Sequence, residues 1–172
     1  MYKPKEDSEL LRSVVKKYAK GSVLDMGTGS GIIAKEASKY SKDVLAVDID
    51  PECVEYVKKL GIRAIQSDLF SNINEKFDVI FFNPPYLPCK GSVKYKDLEG
   101  GKKGSEVVEK FLRDARKHLK ANGKILLVLS SLTSKKDLFK GYKAKVIAKK
   151  KLFFEELYVY ATIQIKNNKY KV

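Results

Sequence analysis

Ser22-Val23-Leu24-Asp25-Met26-Gly27-Thr28-Gly29-Ser30-Gly31 is the stretch on which the fold turns. Its first five residues, after Gly21, read as a buried strand. The glycines that follow can adopt positive φ and let the backbone approach a ligand closely, while the next helix presents free N–H groups. That helix is expected to reach about Tyr40, with Ile33, Ala37 and Tyr40 facing inward. The spacing G-x-G-x-G, preceded by the acid Asp25, departs from the dinucleotide fingerprint.

Upstream, residues 8–19 place Leu10, Leu11, Val14, Val15 and Tyr18 on one helical stripe. Downstream, residues 43–48 form a second strand, and Asp50 caps a helix that has Pro51 in its first turn. Residues 63–66 are a short third strand, ending at Ser67-Asp68-Leu69-Phe70. Residues 77–82 are a fourth, so apolar that it belongs at the centre. Asn83-Pro84-Pro85-Tyr86 stops it. A polar loop with Gly91, Gly100, Gly101 and Gly104 precedes a helix over about 105–121, with Val107, Val108, Phe111, Leu112, Ala115 and Leu119 inward. A fifth strand at 124–129, a short helix near 135–139 and strands near 144–149 and 156–166 complete the chain.

Strands alternating with helices predict an α/β fold: a mostly parallel sheet of about seven strands with helices on both faces. Two closing strands with no helix between them predict an antiparallel hairpin at one edge. This is the Rossmann-like class I methyltransferase variant of the doubly wound fold, and no linker or repeat divides residues 1–172 into more than one domain. Ligands in such folds sit at the carboxyl ends of the strands, where strand order reverses.

The net charge is +14 and the pI about 9.6, almost all of it from lysine; Arg12, Arg63, Arg113 and Arg116 are the arginines. The lysines are scattered, clustering mildly at 149–151, and read as solvated helix faces. Affinity for nucleic acid or the ribosome is the alternative. No apolar run approaches the roughly 18 residues of a membrane span, and the first residues lack a signal-peptide stretch. A cytoplasmic protein without a membrane partner is expected. Cys53 and Cys89 are far apart and read as free thiols, with no cluster for a metal and no activating His beside Cys89. His118, in a basic stretch before Asn122-Gly123, reads as a structural residue at a capped helix end.

Asp48 ends the second strand, 21 residues beyond Gly27, where a carboxylate accepts ribose hydroxyl hydrogens. Asp68 ends the third strand and suits an adenine amino group, with the Leu69 backbone nearby. Asp25 is placed to orient the glycine loop and an ammonium group. Three acids ending successive strands beside one glycine loop point to S-adenosylmethionine, released as S-adenosylhomocysteine. The loop then wraps the amino-acid and ribose portions, because that cofactor has no diphosphate.

Asn83-Pro84-Pro85-Tyr86 is the most specific feature. A turn after an apolar strand needs one proline at most. Two prolines remove two backbone donors and stiffen the chain, leaving the Asn83 side-chain oxygen and the Pro84 carbonyl as paired acceptors. The pair matches the two hydrogens of a planar NH2 group. Such a nitrogen is a poor nucleophile because its lone pair is delocalised, and acceptors aimed at its hydrogens favour the charge that develops as it attacks a sulfonium methyl. Tyr86 is expected to pack on the planar target. The product can lose its proton after transfer, so no strong base is required.

Tyr2-x-Pro4-x-Glu6-Asp7-Ser8-x-x-Leu11, the glycine loop, Asp48-Ile49-Asp50-Pro51, Asp68-Leu69, Asn83-Pro84-Pro85-Tyr86 and Gly100-Gly101-x-x-Gly104-x-Glu106-Val107 occur in the order found in the HemK-like release-factor glutamine methyltransferases. The chain resembles their short archaeal and eukaryotic branch, which lacks the bacterial N-terminal helical domain, over essentially its whole length. The resemblance implies that Ser8, Asp25, Gly27, Thr28, Gly29, Gly31, Asp48, Ile49, Asp68, Leu69 and Asn83 hold the cofactor. Asn83, Pro84, Pro85 and Tyr86 would form the catalytic and substrate-holding corner. The implied reaction is N5-methylation of the glutamine in the Gly-Gly-Gln loop of a class I peptide chain release factor. A small zinc-binding activator subunit is an implied partner, covering an edge strand at 62–66. Adenine-N6 methylation of DNA or RNA uses the same four-residue motif and is the alternative, although 172 residues leave little room for a target-recognition domain; protein lysine methylation is another. A non-catalytic scaffold would have no use for the double-proline motif.

Overall fold

The computed structural model describes residues 5–86 and 105–165. In chain order these form α1 (Glu6–Tyr18), β1 (Ser22–Met26), α2 (Ile32–Ala37), β2 (Asp43–Asp48), α3 (Pro51–Lys59), β3 (Arg63–Gln66), β4 (Phe77–Phe82), α4 (Glu106–Ala115), β5 (Leu119–Ser130), β6 (Tyr142–Lys151) and β7 (Glu156–Gln164). The strands make one seven-stranded sheet in the order β3-β2-β1-β4-β5-β7-β6. β1 to β5 pair in parallel; β7 runs antiparallel between β5 and β6. The expected Rossmann-like sheet with an antiparallel edge is therefore present. Nearly all of β4 is buried at its centre, as its apolar sequence requires.

Register shows which face each helix covers. Side chains of paired residues on neighbouring strands point to the same side, and successive residues alternate. Asp25 pairs with Phe81, and its carboxylate reaches the first turn of α2; Met26 pairs with Phe82, whose ring packs 4.5 Å from Phe111 of α4. Hence α2 and α4 lie on opposite faces. Leu11 and Val15 of α1 are buried, the apolar stripe serving as a packing face. Asp50 caps α3 by accepting from Glu52 N at 2.8 Å, with Pro51 behind it.

Several local expectations are corrected. α2 ends at Ala37, and Tyr40 is 40% exposed with its hydroxyl on Glu36 instead of facing inward. α4 ends at Ala115, not near 121: Lys117 and His118 turn back onto Asp114 and Ala115, and β5 starts at Leu119. Asn122, at φ +68°, is thus no helix cap. It lies where the β4–β5 pairing jumps from Phe77–Leu119 to Val79–Lys124, because an Asn in the left-handed region serves a strand irregularity as readily as a helix end. The short helix near 135–139 is a series of turns, since Asp137 has φ +58° and a right-handed helix cannot pass through it. β6 and β7 also have shifted ends, at 142–151 and 156–164. His118 is structural, stacking on Phe70 at 4.5 Å with Nδ1 3.0 Å from the Glu75 carbonyl. Among the described residues no helix is long and apolar enough to cross a membrane. Tyr2, Pro4, Cys89, the loop glycines 91, 100, 101 and 104, and the end of the last strand lie outside the described residues.

Candidate active site

From β1 the chain adds β2 and β3 on one side, then returns to place β4 on the other. The carboxyl ends of these four strands splay at that switch point, where the fold leaves a crevice. A cavity of about 370 Å³ opens there, lined by Asp7 and Ser8 of α1, the 25–30 loop, the ends of β2 and β3, Asn83 to Pro85, and Val107 of α4. That volume is in the range of small-molecule sites.

The glycine loop is built by three left-handed glycines and fastened by two carboxylates. Gly27, Gly29 and Gly31 have φ of +63°, +49° and +73°. Asp25 is 2% exposed, and its Oδ2 accepts from Thr28 Oγ1 at 2.6 Å and Ala34 N at 3.0 Å. Burial outweighs those bonds and pushes the Asp25 carboxyl up to about 7. Asp48 Oδ2 accepts from Gly29 N at 2.8 Å, and its Oδ1 from Asp50 N at 3.0 Å. Thr28 N is tied to the Val47 carbonyl at 2.9 Å. The glycines have different uses. A Cβ on Gly27 would come within 3.3 Å of the Phe82 ring, and one on Gly29 would meet nothing within 4 Å. One on Gly31 would lie 2.9 Å from Val57 Cγ2. Gly31, expected to hold cofactor, does not line the cavity; it lets α2 pack against α3.

The far wall is softer. Asp68 is exposed and pairs with Lys110 Nζ at 3.0 Å. Leu69 follows at φ +50°, its carbonyl accepting from Ser67 Oγ at 2.8 Å. Ile49 lines the rim and is 65% exposed, a large apolar side chain left uncovered beside Asp48. Cys53 and Val107 extend the apolar lining, and composition gave no signal for either. Burial and the Asp48 charge push the Cys53 thiol up to about 12, so it stays protonated.

At the corner after β4, Asn83 Nδ2 donates to Ser8 Oγ at 3.4 Å, while Asn83 Oδ1 is buried without a partner. Pro84 is buried and, with Pro85, lines the cavity. Tyr86 departs from expectation. It does not line the cavity: it is 5% exposed, its hydroxyl donates to Asp7 Oδ2 at 3.1 Å and its carbonyl accepts from Thr133 Oγ1 at 3.0 Å. The polar end of Tyr86 has satisfied partners inside the fold, so the ring braces the corner from behind. Asp7 is another residue the site expectations omitted; its position beside Ser8 in the first turn of α1 was the available signal.

An acidic, glycine-walled cavity with an apolar rim and one orphaned amide oxygen fits a cofactor carrying an ammonium, a ribose and a flat base. Among known proteins, the family model "Methyltransferase small domain" matches residues 3–172. A Methanocaldococcus jannaschii protein provisionally named protein N5-glutamine methyltransferase is 36% identical, over 92% of this chain and 89% of its own. The release factor glutamine methyltransferase of Streptococcus pneumoniae is 36% identical over 62% of this chain and 44% of its own. The structure of the E. cuniculi Mtq2–Trm112 complex, described as responsible for methylation of the eRF1 translation termination factor, has a TM-score of 0.78 and 26% identity, covering 95% of this chain and 98% of that one.

Proposed function

Because this chain belongs to the methyltransferase small domain family, we propose that it methylates the side-chain amide nitrogen of a glutamine in a translation termination factor. It is a methyltransferase, and its cofactor is S-adenosylmethionine, which when bound supplies an electrophilic methyl on a sulfonium. The observation that carries the substrate reading is Asn83 Oδ1, a buried acceptor without a partner at the mouth of the double-proline corner. A buried acceptor left unpaired costs free energy. An incoming primary amide removes that cost by donating one hydrogen to Asn83 Oδ1 and the other to the Pro84 carbonyl.

Each remaining group has a definite task. Ser8 Oγ accepts from Asn83 Nδ2, which fixes the amide so that its oxygen faces substrate. Asp7 and Thr133 hold Tyr86, and the two prolines prevent the corner from relaxing toward a self-satisfied turn. Asp48 holds the loop at Gly29 and keeps lone pairs toward the ribose. Asp25 holds the loop at Thr28 and meets the ammonium. Asp68, Ile49 and Leu69 enclose the base. Orienting the nitrogen and stabilising its developing charge are the main contributions such a site makes.

The relatives support a protein substrate and, through the E. cuniculi complex, a small partner subunit. The sheet edge at β3, where Ile65 is half-buried, is a suitable place for that partner. The test is transfer of labelled methyl to a purified termination factor, with its Gln→Ala variant and nucleic acid as controls, with and without the small subunit. Label in the wild-type factor alone is expected. Label in DNA or RNA alone would move the assignment to an adenine methyltransferase.

A further inference from the structure

The β6–β7 hairpin carries a surface that the site above does not use. β6 reads Tyr142-Lys143-Ala144-Lys145-Val146-Ile147-Ala148-Lys149-Lys150-Lys151, with five lysines, no acid and an outer position in the sheet. Among the described residues none of those lysines forms an ion pair. Lysines on an outer strand discourage pairing with another sheet, which accounts for the strand but not for its tip. There Phe153 and Phe154 are 95% and 89% exposed, and a solubility device has no use for two bare aromatic rings.

The tip also has a telling position. Antiparallel pairing of Ser130 with Leu157 puts residues 152–155 beyond the carboxyl end of β5, at the sheet edge where the cavity opens. Ser130 Oγ donates to the Glu155 carboxylate, and Ser131 N donates to the Glu156 carbonyl at 2.7 Å. Three residues on, Thr133 Oγ1 holds the Tyr86 carbonyl at 3.0 Å. One short segment thus fixes the hairpin tip relative to the double-proline corner.

We infer that Phe153, Phe154 and Lys149 to Lys151 form a docking element for the body of the protein substrate, engaging an apolar pocket with an acidic rim. This rests on the protein-substrate reading above. The rings favour a protein pocket over nucleic-acid bases: they meet edge to face, with centroids 5.3 Å apart and planes at 63°. One ring's edge then occupies the other's face, giving a wedge instead of parallel stacking platforms. Buried aromatic anchors carry most of the affinity of an interface, and rim lysines set encounter rate and salt dependence.

The experiment compares Phe153→Ser/Phe154→Ser and Lys149→Ser/Lys150→Ser/Lys151→Ser with wild type on two substrates, the intact termination factor and a short peptide of its Gly-Gly-Gln loop. For the aromatic variant, KM for the intact factor is expected to rise about tenfold or more with kcat retained. Peptide methylation should be unchanged, which also reports an intact fold. The lysine variant should lose the salt dependence of kcat/KM on the intact factor. An unchanged KM for the factor, with wild type active, overturns the docking element alone. So does a loss confined to binding of single-stranded RNA, measured by fluorescence anisotropy. Wild type inactive on both substrates overturns the functional reading and the docking element with it.

Discussion

Tyr86 Oη lies 3.1 Å from Asp7 Oδ2, so the first turn of α1 and the double-proline corner, 79 positions apart in the chain, share one buried hydrogen bond. Asp7 Oδ1 meanwhile accepts from Ser8 N at 2.6 Å, and Ser8 Oγ meets Asn83. One carboxylate therefore braces both ends of the four-residue motif.

Tyr86→Phe removes that bond while keeping the ring. A hydrogen bond to a carboxylate is worth about 1.5–3 kcal/mol, so an unfolding free energy lower by that amount, measured by urea titration, is expected. Turnover should fall with cofactor affinity retained, because the Tyr86 end of the corner is released while Asn83 keeps Ser8 and the loop keeps Asp25 and Asp48. Equal turnover of the variant would show that the corner holds its geometry without Asp7.

Asn83→Ala deletes the acceptor itself. Loss of one oriented polar group at a reacting centre costs about 100- to 1,000-fold in kcat. Calorimetry is expected to show S-adenosylhomocysteine still binding. Unchanged methyl transfer would remove Asn83 from the mechanism.

Asp48→Ala orphans Gly29 N and Asp50 N, the two donors its carboxylate now satisfies. Cofactor affinity should drop by about tenfold or more. Gly29→Ala separates loop from ligand. Its left-handed φ costs on the order of 1–2 kcal/mol, but beyond its own chain neighbours no described atom lies within 4 Å of the added carbon. The larger effect should thus be on cofactor binding, and thermal unfolding beside calorimetry distinguishes the two.

Asp25 gives a pH dependence of defined sign. Burial lets the folded chain keep this proton up to about pH 7, whereas the ordinary value is 3.8. Between those values the folded chain binds more protons than the unfolded one. Stability contributed by Asp25 therefore falls as pH rises from about 4 to about 7, by on the order of 4 kcal/mol, and is flat above. Asp25→Asn keeps an acceptor for Thr28 and Ala34 without the titration, and denaturation midpoints at pH 5 to 8 should lose that component. Equal pH slopes in both proteins would assign the effect elsewhere.

Sequence by itself determined the order of elements and the strand ends on which chemistry sits. The period of apolar residues, the left-handed glycines of the 27–31 loop and the two prolines are local constraints, and local constraints are written where they act. What each side chain faces was decided only by tertiary packing. Gly31 and Tyr86 sit in motifs that predict ligand contact, yet Val57 from α3 claims the space beside one and Asp7 from α1 the hydroxyl of the other. Asn122 looked like a helix cap until β4 pairing drew Leu119 into a strand. The physical reason is the same in each case: a residue's conformation follows from its neighbours in the chain, but its partner is chosen by whatever the folded sheet brings within a few ångströms.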